Sequence, residues 1–425
     1  MKRYISLLLI VSIFLIPSLF TACSHETHSN VKANISSNNL KLYSSYGGVG
    51  IGNEKGFYYC KIDENALHNI MYIDYNTSSE LYLCNRAECD HKTDSCTSVI
   101  IPYGGAINLI PSHEKLFIFY TGSGGEADFI SKFGSDALPR VEVMDINGEN
   151  RRILFKLEAN EQMYGKCVFS ENEIFIVVSA IENTNGKPEN KFYLCRYDIL
   201  TGVELSRSHI DLISPSIVAC GDNVLYFESL DLNDDHQVLT SAEKAIWKYY
   251  IESGNSTKLF SKNISQYSVA FNNETAYILD RESAMLTSID LSNNKESILC
   301  DKIVHNAKVG GITTLTDNGV VYFYYENGNY DNVKKSFFNF DSNLPVEINI
   351  PVNIYGNTFK QAPDILAETD DLYLISTGVS STPVGFYNYD GTIVKFHGDS
   401  HRMAIISKQN YLNNISNYNL ITTIN

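Results

Sequence analysis

The stretches GFYYCKI (56–62) and YIDYNTSSELYLC (72–84) carry the reading of the fold. The first is a short aromatic and apolar run of the kind that packs in strands. The second reads as a strand ending at Asp74, an Asn/Ser turn, and a further strand running into Leu83 and Cys84. Asp, Asn and Ser at such a turn supply the side-chain hydrogen bonds and tolerate the positive φ that tight hairpins need.

The same order recurs. Aromatic second strands read KLFIFYT (115–121), EIFIVVS (173–179), NVLYFES (223–229), TAYILD (275–280), VVYFYY (320–325) and DLYLIS (371–376). Third and fourth strands straddle turns in VMDINGENRRILF (143–155), YDILTGVEL (197–205), YYIESGNSTKLF (249–260), IDLSNNKESIL (289–299) and YNYDGTIVKF (387–396). Units begin near Gly47, Gly105, Tyr164, Ile213, Ile264, Ala307 and Gln361. Strands recurring in fours at roughly 40–55 residues predict an all-β chain: one β-propeller, most simply of seven four-stranded blades. Six or eight blades fit the same pattern, because the ends are hardest to place. Two stacked β-sandwiches are the rival architecture. No long amphipathic helix pattern interrupts the series.

In a four-stranded blade labelled A to D from centre to rim, the B–C and D–A connections share one face. The short stretches NEKG, SHEK, SENE, CGDN, NNET, TDNG and ETDD fit A–B turns. The long segments fall between B and C: 122–140, IENTNGKPENK (181–191), 230–245 and ENGNYDNVKK (326–335). Insertions confined to one face predict a binding face. LKLYSSYGG (40–48) is the expected closing strand, pairing with the last blade.

The N-terminus reads MKRYISLLLIVSIFLIPSLFTACSHETHSN (1–30). Lys2 and Arg3 precede an apolar run, then Thr21, Ala22 and Cys23. That order predicts a secretory signal over 1–22, the run being short and proline-containing for a bilayer span of about 30 Å. The Thr-Ala-Cys junction resembles the lipobox of bacterial lipoproteins, which implies lipidation of Cys23. Residues 23–40 then form a lipidated polar tether and 41–425 the propeller. Attachment to the membrane would come from acyl chains, each buried CH₂ contributing about 0.8 kcal/mol. A net charge of −16 repels phosphate backbones and anionic headgroups, so nucleic acid is excluded as a partner.

With the lipobox, the D..TG-type turns, the LC…C.H….C segment after the first blade and the ending MAIISKQNYLNN (403–414), the chain resembles a group of Firmicutes cell-surface lipoproteins, predicted β-propellers of unknown function. The resemblance implies an extracytoplasmic, lipid-anchored propeller on the bacterial surface, and no activity.

The densest chemistry is LCNRAECDHKTDSC (83–96), which holds Cys84, Cys89, His91 and Cys96. Three soft sulfurs and an imidazole are a donor set for tetrahedral, structural zinc. Two disulfides among Cys60, Cys84, Cys89 and Cys96 fit an exported chain equally well, and the two states exclude each other. The segment is expected to be the D–A connection from the first blade to the second. Cys167, Cys195, Cys220 and Cys300 sit in apolar strand contexts, where thiols pack as small hydrophobes. Asp231, Asn233 and Asp235 open like a calcium loop, but no glycine follows and Ala242 stands where glutamate belongs. TGSGG (121–125) is no nucleophile elbow, and His113, His209, His236, His305, His397 and His401 show no paired spacing. No catalytic set stands out. The sequence therefore predicts a monomeric binding module for a peptide, glycan or partner protein. A propeller hydrolase or lyase, or an envelope scaffold, is the alternative.

Overall fold

A computed structural model describes residues 40–43, 49–103, 105–122, 127–184, 186–230, 243–326, 328–329 and 333–423. The signal, Cys23 with most of the tether, and the acidic loop at 231–242 lie outside the described residues.

After an inner strand β1 (Lys41–Tyr43), seven sheets follow in chain order, antiparallel except where the strand Ile350–Ile354 meets Leu372–Tyr387 and Thr422–Thr423 meets Ser79–Tyr82. Blade 1 is β2 (Gly50–Gly52), β3 (Gly56–Ile62), β4 (His68–Asp74), β5 (Ser79–Tyr82) and β6 (Val99–Ile100). Blade 2 is β7 (Ile107–Ser112), β8 (Lys115–Tyr120), β9 (Arg140–Asp145) and β10 (Arg152–Lys156), with helix α1 (Ala127–Phe133) between β8 and β9. Blade 3 is β11 (Glu161–Phe169), β12 (Glu173–Thr184), β13 (Lys187–Asp198) and β14 (Glu204–Ile210). Blade 4 is β15 (Ile213–Gly221), β16 (Val224–Leu230), β17 (Glu243–Tyr250) and β18 (Ser256–Asn263). Blade 5 is β19 (Tyr267–Asn272), β20 (Thr275–Asp280), β21 (Leu286–Asp290) and β22 (Lys295–Cys300). Blade 6 is β23 (Ala307–Thr316), β24 (Gly319–Glu326), β25 (Val333–Asn339) and β26 (Leu344–Val346). A hairpin, β27 (Ile350–Ile354) and β28 (Asn357–Gln361), precedes blade 7: β29 (Asp364–Glu368), β30 (Leu372–Tyr387), β31 (Ile393–Ser407) and β32 (Asn419–Leu420). A last strand is β33 (Thr422–Thr423).

The apolar runs are continuous because each blade is buried on both faces. In β3 and β4, Tyr58 and Ile70 pack with Leu109, Leu116 and Ile118 of blade 2. Their neighbours Phe57, Met71 and Ile73 pack the other way, on Leu366, Leu374 and Ile405 of blade 7. Five further clusters fill the remaining interfaces between successive blades. Together they form a closed ring, so sheet faces do not stay exposed.

The C–D turns explain their Asp and Gly. Asp198 Oδ1 accepts from the N–H groups of Leu200 (3.0 Å) and Thr201 (2.7 Å). Gly202, at φ +72°, lies so close to Leu154 O of the preceding blade that a Cβ would fall 2.1 Å from it. Gly148, at φ +89°, stands in the same relation to Leu83 O, at 2.5 Å.

Four expectations differ from the structure. β1 pairs not with the last blade but with β11, the inner strand of blade 3, Tyr43 opposite Cys167. Closure comes from the other terminus: β33 pairs in parallel with β5, Thr422 opposite Ser79, after β32 has paired with β31. The segment 181–191 is no loop; β12 and β13 continue pairing out to Thr184 opposite Lys187. YNYDGTIVKF is a B–C rather than a C–D turn, because β30 and β31 pair out to Tyr387 opposite Ile393.

Candidate metal centre and the face beside it

The fourth expectation to fail positions the cysteines. Segment 83–96 is not a D–A connection. β5 and β6 both pair with β4, so the rim strand leaves the sheet and returns to it. Leu83 N–H donates to Ile70 O at 2.9 Å, and Ile70 N–H donates to Ser98 O at 2.8 Å. The chain between them is an Ω-shaped excursion that opens and closes on one residue of the neighbouring strand.

Little apolar surface holds this excursion. Within 84–98 only Cys96 and Ser98 are buried. Yet the four donors converge: the ligand atoms of Cys84, Cys89, His91 and Cys96 all lie within 4.8 Å of one another. A tetrahedral zinc with Zn–S of about 2.3 Å and Zn–N of about 2.0 Å separates its ligands by less than 4 Å along each edge, so a small inward movement closes the shell. His91 Nδ1 faces Cys96 Sγ at 3.3 Å, so Nδ1 is the nitrogen that would meet a metal held by the group. The backbone of His91 is left-handed at φ +54°, a conformation uncommon outside glycine. The imidazole stacks on Tyr82, centroids 4.1 Å apart and planes 13° apart, which fixes its direction.

Local hydrogen bonds set the thiols apart. Burial raises the Cys84 thiol, but the N–H of Arg86 and hydrogen bonds with Cys96, Cys89 and Thr97 outweigh it, so Cys84 lies below the usual thiol range. Burial pushes Cys96 up to about 11 despite hydrogen bonds from Ser98. Its Sγ lies 3.1 Å from Ser98 Oγ, which donates to Asn69 Oδ1 at 3.2 Å and so ties the centre to β4.

Cys60 is not part of the group. It lies on β3, packed beside Tyr58 and Ile70, with its thiol pushed up to about 12 by burial. None of the eight described cysteines is joined to another by a disulfide. The group of four converging donors does not include Cys60.

Beneath the excursion lies a charged network the sequence did not announce. Arg151, on the C–D turn of blade 2, donates through Nη1 to Thr97 O (3.3 Å) and Val99 O (2.6 Å). Its Nε donates to Glu142 at 2.6 Å and its Nη2 to Tyr120 Oη at 2.7 Å. Glu142 also accepts from Arg140 Nε at 2.7 Å, and the Arg140 guanidinium lies 3.6 Å over the Tyr120 ring. Burial raises the Glu142 carboxyl, but Arg151 and Arg140 more than offset this and hold it below the usual range. Asn85 hydrogen-bonds to Glu149 on the same turn. Arg151 sits in a polar turn with no spacing that marks it, so no sequence pattern pointed to it.

The B–C face carries a second feature. The β30–β31 arm extends beyond its blade and exposes Phe386, Tyr389, Val394 and Phe396. Phe386 and Phe396 meet edge to face at 5.4 Å. The arm leans on blade 1, Gly385 N–H donating to Asp63 O at 2.8 Å. It also reaches the insertion of blade 2: Tyr387 meets Phe133 of α1 at 5.8 Å, and Phe133 stacks on Tyr103 at 4.1 Å. Elsewhere, Ser376 Oγ lies 2.9 Å from His401 Nδ1, but that serine is buried and also donates to Gly378 O at 3.2 Å. Among the described residues no helix is long and apolar enough to cross a membrane.

Fold and centre together define the class: an all-β, seven-bladed propeller with a Cys₃His group on the rim of its first blade. No protein-family model matches the sequence, and no curated protein matches it. Solved propellers match it in shape. An oligogalacturonate lyase in complex with manganese aligns at a TM-score of 0.44 and 12% identity, over 72% of this chain and 77% of that one. The acylaminoacyl peptidase of Pyrococcus horikoshii aligns at 0.49 and 11% identity, over 84% of this chain and 52% of the peptidase, so this chain spans about half its length. Sqt1 of Saccharomyces cerevisiae aligns at 0.39 and 10% identity, over 92% and 100%. The likeness is one of fold.

Proposed function

We propose that this chain is an extracytoplasmic lipoprotein, anchored through acylated Cys23, whose propeller is a binding module for a peptide, glycan or partner protein. The exposed aromatic arm of β30 and β31 carries this reading. Phe386, Tyr389, Val394 and Phe396 lie on a regular hairpin braced against blades 1 and 2, on the face that gathers the long B–C segments. Contiguous exposed apolar surface on a rigid element marks interaction sites. The anchor rests on the Thr21-Ala22-Cys23 junction behind an apolar run.

The Cys84, Cys89, His91 and Cys96 centre is structural in this reading, with zinc as its metal. Four protein donors complete a tetrahedral shell and leave no position for substrate. Ordering the backbone of the excursion costs on the order of 15 kcal/mol. Zinc at such a site contributes about 10–16 kcal/mol, enough to offset it.

The test is a glycan and peptide array probed with the full chain, with Phe386→Ser/Phe396→Ser as the variant. Leu200→Ser, on an exposed turn of the opposite face, is the control. Binding lost in the arm variant and kept in the control supports the reading. Binding kept in both contradicts it.

A further inference from the structure

A cavity of about 440 Å³ opens among the inner strands of blades 1, 2 and 3, apart from both the metal centre and the aromatic arm. Its wall is mostly apolar, with Ile51, Ile62, Ile107 and Leu109 from blades 1 and 2 and Met163 from blade 3. In a chain of net charge −16, Lys166 is the only Lys, Arg, Asp or Glu among the described residues lining it, its ammonium lowered by burial. The pairing of β11 with β12 slips between Tyr164 and Val168, and Gly165 at φ +75° makes the bulge that places Lys166 there. Glu228, the acid that acts on Lys166, is itself paired with Lys244.

His68 lines the same cavity, and its Nδ1 is buried with no hydrogen-bond partner. A buried polar atom without a partner is costly, and such atoms are rare in folded proteins. Burial lowers the imidazole to about 4, so His68 is neutral at physiological pH and offers one ring nitrogen as donor or acceptor.

We infer that this cavity binds a small monoanionic carboxylate with an apolar body, its carboxylate on Lys166, a second polar contact on His68, and its hydrocarbon among Ile51, Ile62, Leu109 and Met163. One lysine balances one negative charge, whereas a phosphate dianion would need more donors than the wall supplies. Pockets of this kind combine an apolar lining with a few placed polar groups. The inference deepens the binding-module reading by naming a ligand class. It can fail without touching the array result, which reads the aromatic arm.

Isothermal titration calorimetry of the full chain with octanoate, octan-1-ol and octylamine tests it. Octanoate should bind at least about tenfold more tightly than the other two, and Lys166→Met should remove that preference while melting like the parent. If Lys166→Met does not fold, the parent is acetylated with a lysine-directed reagent, and octanoate should protect Lys166 by mass spectrometry. Octanoate that binds Lys166→Met as well as the parent overturns the inference. So does the absence of both binding and protection.

Discussion

Leu83 and Ser98 share one partner: the first donates to the carbonyl of Ile70 and the second accepts from its N–H, at 2.9 and 2.8 Å. Ile70 thus keeps the two hydrogen bonds of an uninterrupted antiparallel rung, one from each end of the excursion. The Cys₃His group sits on an insertion into a complete rim strand, and the blade beneath it is whole without it.

Deleting 84–98 and joining Leu83 to Val99 should therefore restore a continuous fourth strand, with Leu83 opposite Ile70 and Val99 opposite Asn69. The shortened chain should fold, give the far-ultraviolet spectrum of the parent and hold no zinc. An aggregated or unfolded product would contradict the insertion.

His91→Ala removes one of four donors and the stacking on Tyr82. Zinc affinity should fall by more than the roughly 10–100-fold that loss of a supporting contact produces. Competition with a chromogenic chelator reads the change. Cys60→Ser, outside the group, should leave affinity as it was.

Arg151 joins blade 2 to the neck of the excursion. Arg151→Ala leaves Glu142 buried with Arg140 and the Tyr120 hydroxyl as its remaining partners and should cost about 3–5 kcal/mol, the range for breaking a buried pair. Denaturant unfolding measures it.

The same network makes stability fall with acid. The folded Glu142 carboxyl lies below its unfolded value, so its contribution is complete above the ordinary carboxylate range near pH 4.3. It is lost as pH falls through the depressed folded value. A melting series should show an acid-side loss that Glu142→Gln lacks, because that variant carries no titrating group there.

Ring closure by the C-terminus makes a further outcome specific. Removing 421–425 deletes β33, the Thr423 Oγ1 to Glu80 bond at 2.9 Å and the packing of Ile421 on the blade 1–7 cluster. A loss of about 2–4 kcal/mol is expected, from one half-buried apolar side chain and the hydrogen bonds of a short strand. Equal unfolding midpoints for parent and truncation would contradict closure there.

The propeller was legible because its chemistry is local. Apolar runs buried on both faces and Asp- or Gly-bearing turns repeat blade by blade, and expected unit starts such as Tyr164, Ile213 and Ala307 fall within three residues of β11, β15 and β23. What misled was turn chemistry that does not know its face. Asp390 Oδ1 accepts from Thr392 N at 2.8 Å much as Asp290 Oδ1 accepts from Ser292 N at 2.9 Å, yet the first closes a B–C arm and the second a C–D turn. Pairing of β1 with β11 and of β33 with β5 depends on strands far apart in the chain, which no local pattern encodes. The cysteines and His91 stood out by density alone. Their support by Ser98, Arg151 and Glu142 did not, because it arises only where blades 1 and 2 meet.

The most direct test is zinc K-edge absorption with elemental analysis on the full chain purified anaerobically. The account predicts one zinc per chain, with three sulfurs at about 2.3 Å and one nitrogen at about 2.0 Å. A metal-free chain in which Cys84, Cys89 and Cys96 all react freely with a thiol reagent would contradict it.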